Sequence, residues 1–297
     1  MTDLVLTPAA WPLHESPPHL LKDAASDSAI PSVLALHCSG GNPRQWSELA
    51  SRLPDQTCLH CPSYQTVQSA GVAANPQAFR LSDEAKPMLE WVAQQPGPIH
   101  LVGHSYGGAL ALFVALAMPE KVGTMTLHEP CMFNLMQIDG SAYDVEYAEI
   151  WQTAAFINRH IQRGRPDVAM QHFVDYWNGP GSWASMPTKA QAKLIEWSSK
   201  APMDFAALFA ERPCALALQT LAIPTTVVVG EYAPPPTRSV ADALRKHLPL
   251  CSRKTLAGAG HMGPVSHPGE FADLAIRAMG FGKTASTNVA SSLMWAA

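Results

Sequence analysis

The stretch IHLVGHSYGGALALFVALA, residues 99–117, decides the fold expected for this chain. Its first six residues have the apolar character of a buried strand, and the small residues after Tyr106 are typical of a buried helix. Between them lies Gly103-His104-Ser105-Tyr106-Gly107, a G-x-S-x-G motif. A turn this sharp strains the backbone of its central residue and requires small neighbours, which Gly103 and Gly107 provide. The motif therefore predicts Ser105 as a catalytic nucleophile.

The same stretch has a second interpretation, a glycine-rich turn that only packs or that cradles a phosphate. A phosphate loop is expected to carry G-x-G-x-x-G or to end in G-K-[ST], and the sequence here has neither pattern. The N-terminus of the following helix would instead direct amide donors at an oxyanion beside Ser105. The nucleophile interpretation is favoured.

Outward from this motif, short apolar runs alternate with helical patterns, which predicts an α/β fold with a mostly parallel sheet covered on both faces. The predicted strands are Ser32–Cys38, Gln56–Cys61, Ile99–His104, Val122–Glu129, Thr225–Glu231 and Ser252–Leu256. The helices predicted between them are Asp83–Gln94, Gly107–Ala117 and Thr237–His247.

The alternation breaks between residues 131 and 212. This part of the chain predicts several helices, separated by Gly- and Pro-containing breaks, and it holds Trp151, Trp177, Trp183 and Trp197. Helices inserted between two strands of such a sheet predict a lid over the strand ends, where open α/β sheets bind ligands. The expected division is a core of residues 1–130 and 213–282, a helical lid of residues 131–212, and a tail of residues 283–297. The predicted lid helices are Tyr143–Arg163, Asp167–Trp177, Thr188–Ser199 and Met203–Glu211.

A serine hydroxyl needs a base to become a nucleophile, and His261 is the candidate. It follows a strand-like segment near the C-terminus, in the glycine-rich loop Leu256-Ala257-Gly258-Ala259-Gly260-His261-Met262. Such a loop can bring an imidazole over the strand ends. With 12 histidines in the chain, most are expected to be structural or exposed, and only the position of His261 raises it above the others.

These residues resemble the α/β-hydrolase superfamily, in the lidded branch of serine esterases and dehalogenase-like enzymes. The resemblance covers roughly residues 30–282 and is specific at His37-Cys38-Ser39-Gly40-Gly41, at the Ser105 turn and at the His261 loop. It implies that the backbone N–H groups of Ser39 and Tyr106 form an oxyanion hole. Cys38 stands where the family usually has Gly, and its Cβ is tolerable if φ stays negative.

The resemblance also frames the search for the third member of a catalytic triad. The family's acid usually follows the strand placed here at Thr225–Glu231, but the corresponding residue is Ala233, which cannot orient an imidazole. Some relatives take the acid from the end of the preceding strand, and Glu129 occupies that position. We therefore predict Glu129 as the acid that orients His261, with Glu231 in reserve. The competing interpretation of Glu129 is a carboxylate facing solvent or paired with Arg or Lys.

The substrate pocket is expected to be apolar, because few charged residues stand near these positions. Its predicted members are His37, Cys38, Met132, Phe133, Met136, Trp151 and Met262, with the other lid tryptophans as further candidates.

Composition limits the possible functions. At 47% hydrophobic and only 15% charged residues, the chain can bury a large core, and a net charge of −4 gives no electrostatic reason to expect nucleic acid. The longest apolar run is too short for a membrane span, and the N-terminus does not resemble a signal peptide, which predicts a cytoplasmic protein. The lone Cys58-Leu59-His60-Cys61 is weak evidence for zinc, and we expect no metal and no cofactor.

Together these features predict a serine hydrolase that cleaves a carboxylic ester of an apolar or aromatic small molecule through an acyl-enzyme. Acyl transfer, thioester hydrolysis and carbon–carbon bond hydrolysis on the same residues remain open. A catalytically inactive ligand-binding protein is a further alternative, supported only by Ala233 at the usual acid position.

Overall fold

The structure, a computed structural model, describes residues 30–64 and 78–281 of the chain. Residues 1–29 of the predicted core and the predicted tail therefore lie outside the described residues. The described part is built on one six-stranded sheet, in the order β2-β1-β3-β4-β5-β6, in which every neighbouring pair is parallel. The strands are β1 (Ser32–Leu36), β2 (Cys58–His60), β3 (Ile99–His104), β4 (Val122–His128), β5 (Thr225–Gly230) and β6 (Cys251–Leu256).

The sheet forms because its central strands are rich in apolar residues that are buried. All five residues of β1 are buried, and Leu101, Leu127 and Val227 in the neighbouring strands have no exposed surface. A parallel strand with both faces covered has this continuous apolar pattern. The six predicted strands are thus confirmed, each with ends within about two residues of the prediction, the usual scatter of such boundaries.

Helices cover both faces of the sheet, and the buried apolar residues form two clusters. The core helices are α1 (Ser47–Arg52), α2 (Leu81–Ala93), α3 (Tyr106–Ala117), α9 (Ala215–Gln219), α10 (Pro235–His247), α11 (Gly263–Ser266) and α12 (Pro268–Ala278). Three of these, α2, α3 and α10, are the predicted core helices. The sequence patterns did not predict α1, α9 or α12.

Five further helices follow β4 and precede β5 in the chain. They are α4 (Asp144–Gln162), α5 (Pro166–Asn178), α6 (Ser182–Ser185), α7 (Thr188–Trp197) and α8 (Ala201–Ala210). Four of them match the helices predicted for this segment. A 3₁₀ turn, Ser198–Lys200, joins α7 to α8. We call residues 131–212 the insertion. Within the described ranges, no helix is both long and apolar enough to cross a membrane.

Candidate active site

Ser105 lies at the sharp turn between β3 and α3, with φ 57° and ψ −116°. Positive φ is costly for a residue with a side chain and persists only where the surroundings enforce it. Here the Ser105 amide donates to His128 O at 3.0 Å, which ties the turn to the adjacent strand. A Cβ on Gly107 would lie 2.2 Å from Leu36 O, and one on Gly103 would lie 2.6 Å from Gly107 O. Only glycine fits at these two positions, as the motif predicts.

The structure brings His261 to this turn. Its Nε2 lies 2.9 Å from Ser105 Oγ, and the side chain is only 3% exposed. The loop that carries His261 crosses the end of β5 closely, since a Cβ on Gly230 would lie 2.6 Å from the carbonyl oxygens of Ala259 and Gly260. The glycine at the end of β5 therefore lets this loop reach the nucleophile.

Glu129 lies on the other side of the imidazole. Its Oε2 is 2.7 Å from His261 Nδ1, its Oε1 accepts from Gly230 N, and Oε2 also accepts from Thr237 Oγ1. Burial alone would raise the pKa of Glu129, but these hydrogen bonds and the nearby His261 and His128 bring the pKa down to about 2. An ionised carboxylate only accepts, so His261 Nδ1 carries a proton and Nε2 is left to accept from the serine.

Glu129 has a strained backbone as well, with φ 44°. Ser105 and Glu129 are the two residues other than glycine with positive φ in the described part of the chain. Strain of this kind concentrates where the backbone is held by its surroundings at a functional site. The predicted nucleophile and the predicted acid share it.

The reserve acid, Glu231, does not approach the imidazole. It is exposed, and its Oε2 accepts from Gly258 N at 2.8 Å. Ala233, at the position where the family usually has its acid, is buried and offers no polar group. Glu129 is thus the carboxylate on His261.

Two histidines that the sequence reasoning did not single out hold the His261 loop from behind. His104 Nε2 lies 2.8 Å from His261 O, and His128 Nε2 lies 3.1 Å from the same oxygen. Because a carbonyl oxygen only accepts, both Nε2 atoms carry protons. Burial lowers the pKa of His104 far below its usual range and that of His128 to about 4, so both rings are neutral at pH 7. His104 directly precedes Ser105, and His128 directly precedes Glu129, each at the end of a strand. This position in the sequence could have identified both histidines.

The predicted oxyanion donors are the amides of Ser39, in the turn after β1, and of Tyr106, the first residue of α3. Within the described ranges, the amide N–H groups of Ser39 and Tyr106 donate to no other residue, which leaves them available to a ligand. Cys38 does not have positive φ, so the backbone tolerates a Cβ at this position, as expected. The amide of Gly41 closes the turn by donating to Cys38 O at 3.0 Å.

A narrow cleft opens at Ser105, in which the centre of a water molecule can occupy about 20 Å³. It is lined mainly by apolar and aromatic side chains of the insertion, with Ser39 and Asp204 as polar members. The lining residues are Ser39, Ser105, Cys131, Phe133, Phe173, Trp177, Trp197, Ala201, Asp204, Phe205 and Leu208.

The cleft differs from the pocket that the sequence predicts. Phe133 is the one predicted member that lines it, and two tryptophans of the insertion, Trp177 and Trp197, do so as well. Met132 and Met136 are instead buried in the core, because apolar spacing does not distinguish a pocket wall from a packed interior.

The other predicted pocket members also lie elsewhere. Trp151 is 53% exposed and packs its edge on Phe209, and Met262 is half-buried at the start of α11. His37 is buried, and its ring stacks on Tyr64 with 3.8 Å between centroids. Cys38 is buried in the turn before Gly41.

Two contacts at the reacting centre were not predicted. The Trp177 ring stacks on His261, with centroids 4.1 Å apart and planes at 26°. Cys131 Sγ lies 3.3 Å from Ser105 Oγ, and burial raises the pKa of this thiol, which keeps it protonated. Among the described residues, no group of three or more His, Cys, Asp or Glu side chains could hold a metal ion.

Comparison with known sequences places these features in context. Residues 33–274 match the model of a family described as "Alpha/beta hydrolase family". Lipase LipV of Mycobacterium tuberculosis is 31% identical over 114 residues, which span 37% of this chain but only 39% of that protein. Pimeloyl-[acyl-carrier protein] methyl ester esterase of Aeromonas hydrophila is 24% identical over 253 residues, or 82% of this chain and 93% of that protein.

Solved structures show the same fold. MGS-M2, an alpha/beta hydrolase enzyme from a Medee basin deep-sea metagenome library, superposes with a TM-score of 0.65 at 13% identity, covering 91% of this chain and 95% of that one. The esterase EaEST from Exiguobacterium antarcticum gives a TM-score of 0.62 at 16% identity, covering 84% and 92%. At these identities the likeness concerns the fold alone.

Proposed function

The chain belongs to the alpha/beta hydrolase family, and from that premise we propose that it is a serine hydrolase that cleaves carboxylic esters of apolar or aromatic small molecules. One observation carries the proposal: Ser105 Oγ, the His261 ring and the Glu129 carboxylate form a continuous hydrogen-bonded chain with spacings of 2.9 and 2.7 Å. This is the arrangement in which an imidazole can remove a serine proton while a carboxylate holds its tautomer.

Acylation follows from this geometry. His261 Nε2 takes the hydroxyl proton as Ser105 Oγ forms a bond to the ester carbonyl carbon, and the carbonyl electron pair moves to its oxygen. The amides of Ser39 and Tyr106 donate to that oxyanion. When the carbonyl re-forms, the bond to the alcohol oxygen breaks, and the imidazolium gives its proton to the departing alcohol.

Deacylation repeats the cycle with water. His261 Nε2 takes a proton from a water molecule whose oxygen attacks the acyl carbon, and the second oxyanion uses the same two amides. Collapse breaks the bond to Ser105 Oγ, which regains a proton from His261, and the carboxylic acid product leaves. Glu129 stabilises the imidazolium in both halves and remains ionised, since its pKa of about 2 lies far below neutral pH.

The cleft supports an apolar substrate. We assign the insertion as a lid, because it contributes most of the lining, including Phe173, Trp177, Trp197 and Phe205. The one carboxylate in the lining, Asp204, is already bonded to Lys200 and Ser39. Aromatic walls with a few fixed polar groups are typical of sites for small apolar molecules.

The inactive binding protein was suggested only because Ala233 stands where the family usually has its acid. Since Glu129 contacts His261 instead, we do not favour that alternative. The relatives named as a lipase and a methyl ester esterase favour ester cleavage over acyl transfer or carbon–carbon bond hydrolysis.

The test is a panel of p-nitrophenyl esters with neutral acyl groups alongside negatively charged thioesters, compared by kcat/KM for the wild type and Ser105→Ala. We expect the neutral esters to be preferred and the variant to be inactive on all of them. A preference for the charged thioesters would contradict the substrate class. Equal activity of Ser105→Ala would contradict the mechanism.

A further inference from the structure

A buried cation joins two carboxylates beside the cleft. Lys200, the last residue of the Ser198–Lys200 turn, is 3% exposed, and its Nζ lies 2.5 Å from both Asp204 Oδ1 and Glu84 Oε2. Both carboxylates are also buried. Lys200 and Asp204 belong to the insertion, whereas Glu84 belongs to α2 of the core, so this contact ties the two parts together.

The chain of contacts continues at both ends. Ser39 Oγ donates to Asp204 Oδ2 at 2.6 Å, and Tyr106 OH donates to Glu84 Oε2 at 3.1 Å. We call Ser39, Asp204, Lys200, Glu84 and Tyr106 the buried ionic chain. Its two terminal residues are the two whose amides form the proposed oxyanion hole, although the side chains that join them come from two separate parts of the sequence, Glu84 in one and Lys200 and Asp204 in the other.

The lysine stays charged in this setting. Burial by itself lowers the pKa of Lys200, but attraction to Asp204 and Glu84 outweighs burial and raises the pKa. Its Nζ also lies 4.7 Å from the Phe79 ring centroid and 5.2 Å from that of Tyr106, within the range of cation–π contacts. Buried charges are costly when unpaired, so the five side chains have one strongly preferred arrangement.

We propose that Lys200 is a positioning residue for the oxyanion hole, acting through Asp204 on Ser39 and through Glu84 on Tyr106. The inference rests on the proposed function. The Ser39 hydroxyl fixes its loop against the insertion, and the Tyr106 hydroxyl fixes the first turn of α3 against α2. The amides of these residues are thereby held in the directions that the oxyanion requires. The insertion thus completes the catalytic geometry in addition to covering the cleft.

The test uses substitutions that break the chain and keep both amides. Ser39→Ala and Tyr106→Phe each remove one hydroxyl, and the double variant removes both. The matched control is Tyr176→Phe, because Tyr176 OH donates to Glu149 Oε1 at 2.8 Å, a tyrosine–glutamate bond that includes neither Ser39 nor Tyr106. Active sites are counted with a fluorophosphonate, so that unfolded protein does not enter kcat.

We expect the double variant to lower kcat per titrated site about 10- to 100-fold, since misplacing a catalytic group by about 1 Å can cost about 100-fold. KM for a p-nitrophenyl ester should change less than about twofold, because the amides act mainly in the transition state. The inhibition constant of phenylboronic acid, which forms a tetrahedral adduct with the serine, should rise in parallel with the fall in kcat. Tyr176→Phe should match the wild type in all three quantities.

Lys200→Met removes the cation at the centre of the buried ionic chain, and Lys200→Arg restores a positive charge at that position. We expect the Met variant to lose boronate affinity and kcat per titrated site together, and the Arg variant to recover part of both. If the wild type is active and the double variant has the same kcat per titrated site, the inference about Lys200 is overturned while the proposed function stands. If the wild type neither reacts with the fluorophosphonate nor hydrolyses esters, the proposed function fails first.

Discussion

Two hydrogen-bonded chains meet at the Ser105 turn, and they are built differently. The catalytic chain of Ser105, His261 and Glu129 comes from the ends of β3 and β4 and the loop after β6, all positioned by one sheet. The buried ionic chain joins the core to the insertion through Lys200.

The difference concerns what each chain does with charge. In the proposed mechanism a proton moves along the catalytic chain, so the geometry of that chain must suit two protonation states of one imidazole. In the buried ionic chain the charges stay fixed, and we propose that it holds the core and the insertion in register. On this proposal the sheet supplies the chemistry and the insertion supplies part of its alignment.

The largest effect that would test this comparison is expected for Glu129→Gln. The amide cannot stabilise an imidazolium as a carboxylate does, so kcat should fall about 10⁴-fold, as when the orienting acid of other triads is neutralised. Steady-state hydrolysis of a p-nitrophenyl ester measures this. Glu231→Gln is the control, and it should stay within about twofold of the wild type because its side chain bonds only to Gly258 N on the exposed side of the loop. If Glu231→Gln lost most of its kcat while Glu129→Gln kept the wild-type value, Glu231 would be the acid on His261 and the assignment of Glu129 would be wrong.

The buried ionic chain should contribute more to the free energy of unfolding than an ion pair near the surface does. Lys200→Met removes the cation that two buried carboxylates share, and we expect the free energy of unfolding to fall by about 3–5 kcal/mol. Arg253→Met breaks the half-exposed pair with Asp242 and should cost about 1 kcal/mol or less. Urea unfolding measures both.

A variant with Lys200→Met, Glu84→Gln and Asp204→Asn combined sharpens this prediction. Because it removes the carboxylate charges together with the lysine charge, it should recover most of the stability that the single variant loses. A single variant no less stable than Arg253→Met would show that the contact between core and insertion contributes little.

A smaller effect is expected from His128, which supports the catalytic chain from behind. Its pKa is lowered from 6.5 to about 4 by burial. As the pH falls below 6.5, the unfolded chain binds a proton at this imidazole while the folded protein does not, so acid favours unfolding down to about pH 4. From pH 7.5 to 5 the wild type should lose about 2 kcal/mol more than His128→Gln, whose amide can still donate to His261 O.

Urea unfolding of both proteins at the two pH values measures this difference. Equal losses would contradict a neutral, buried His128.

The smallest effect concerns Trp177, where the insertion contacts the catalytic chain directly. Its ring stacks on His261 and can stabilise the imidazolium by about 1 kcal/mol, so Trp177→Leu should lower kcat about fivefold. Trp183→Leu, in the same insertion but outside the cleft lining, is the control and should keep its kcat. Equal kcat in the two variants would mean that the stacked tryptophan only fills space.

The comparison also explains which parts of the site could be predicted. Ser105, Glu129 and His261 stand at strand ends or in the loop after a strand, and a parallel sheet brings such ends to one edge. Local patterns together with the resemblance to the α/β-hydrolase superfamily therefore predicted that these three residues meet. The six strands were predictable as short runs rich in apolar and β-branched residues that alternate with helical patterns.

The contacts that the insertion makes could not be predicted, because they depend on how its helices fold back on the core. Helical spacing could not tell that Trp177 faces His261 while Trp151 faces solvent. The partners Lys200 and Glu84 are far apart in the sequence and belong to no motif.

The central claim is that Ser105 is a nucleophile activated by His261. The most direct measurement is reaction of the wild-type protein with a fluorophosphonate, followed by mass spectrometry of the digested protein. The account predicts one phosphonyl group per chain, on the peptide that contains Ser105, with no label on Ser105→Ala and much slower labelling of Glu129→Gln. A folded wild type that stays unlabelled, or one labelled at another residue, would contradict the account.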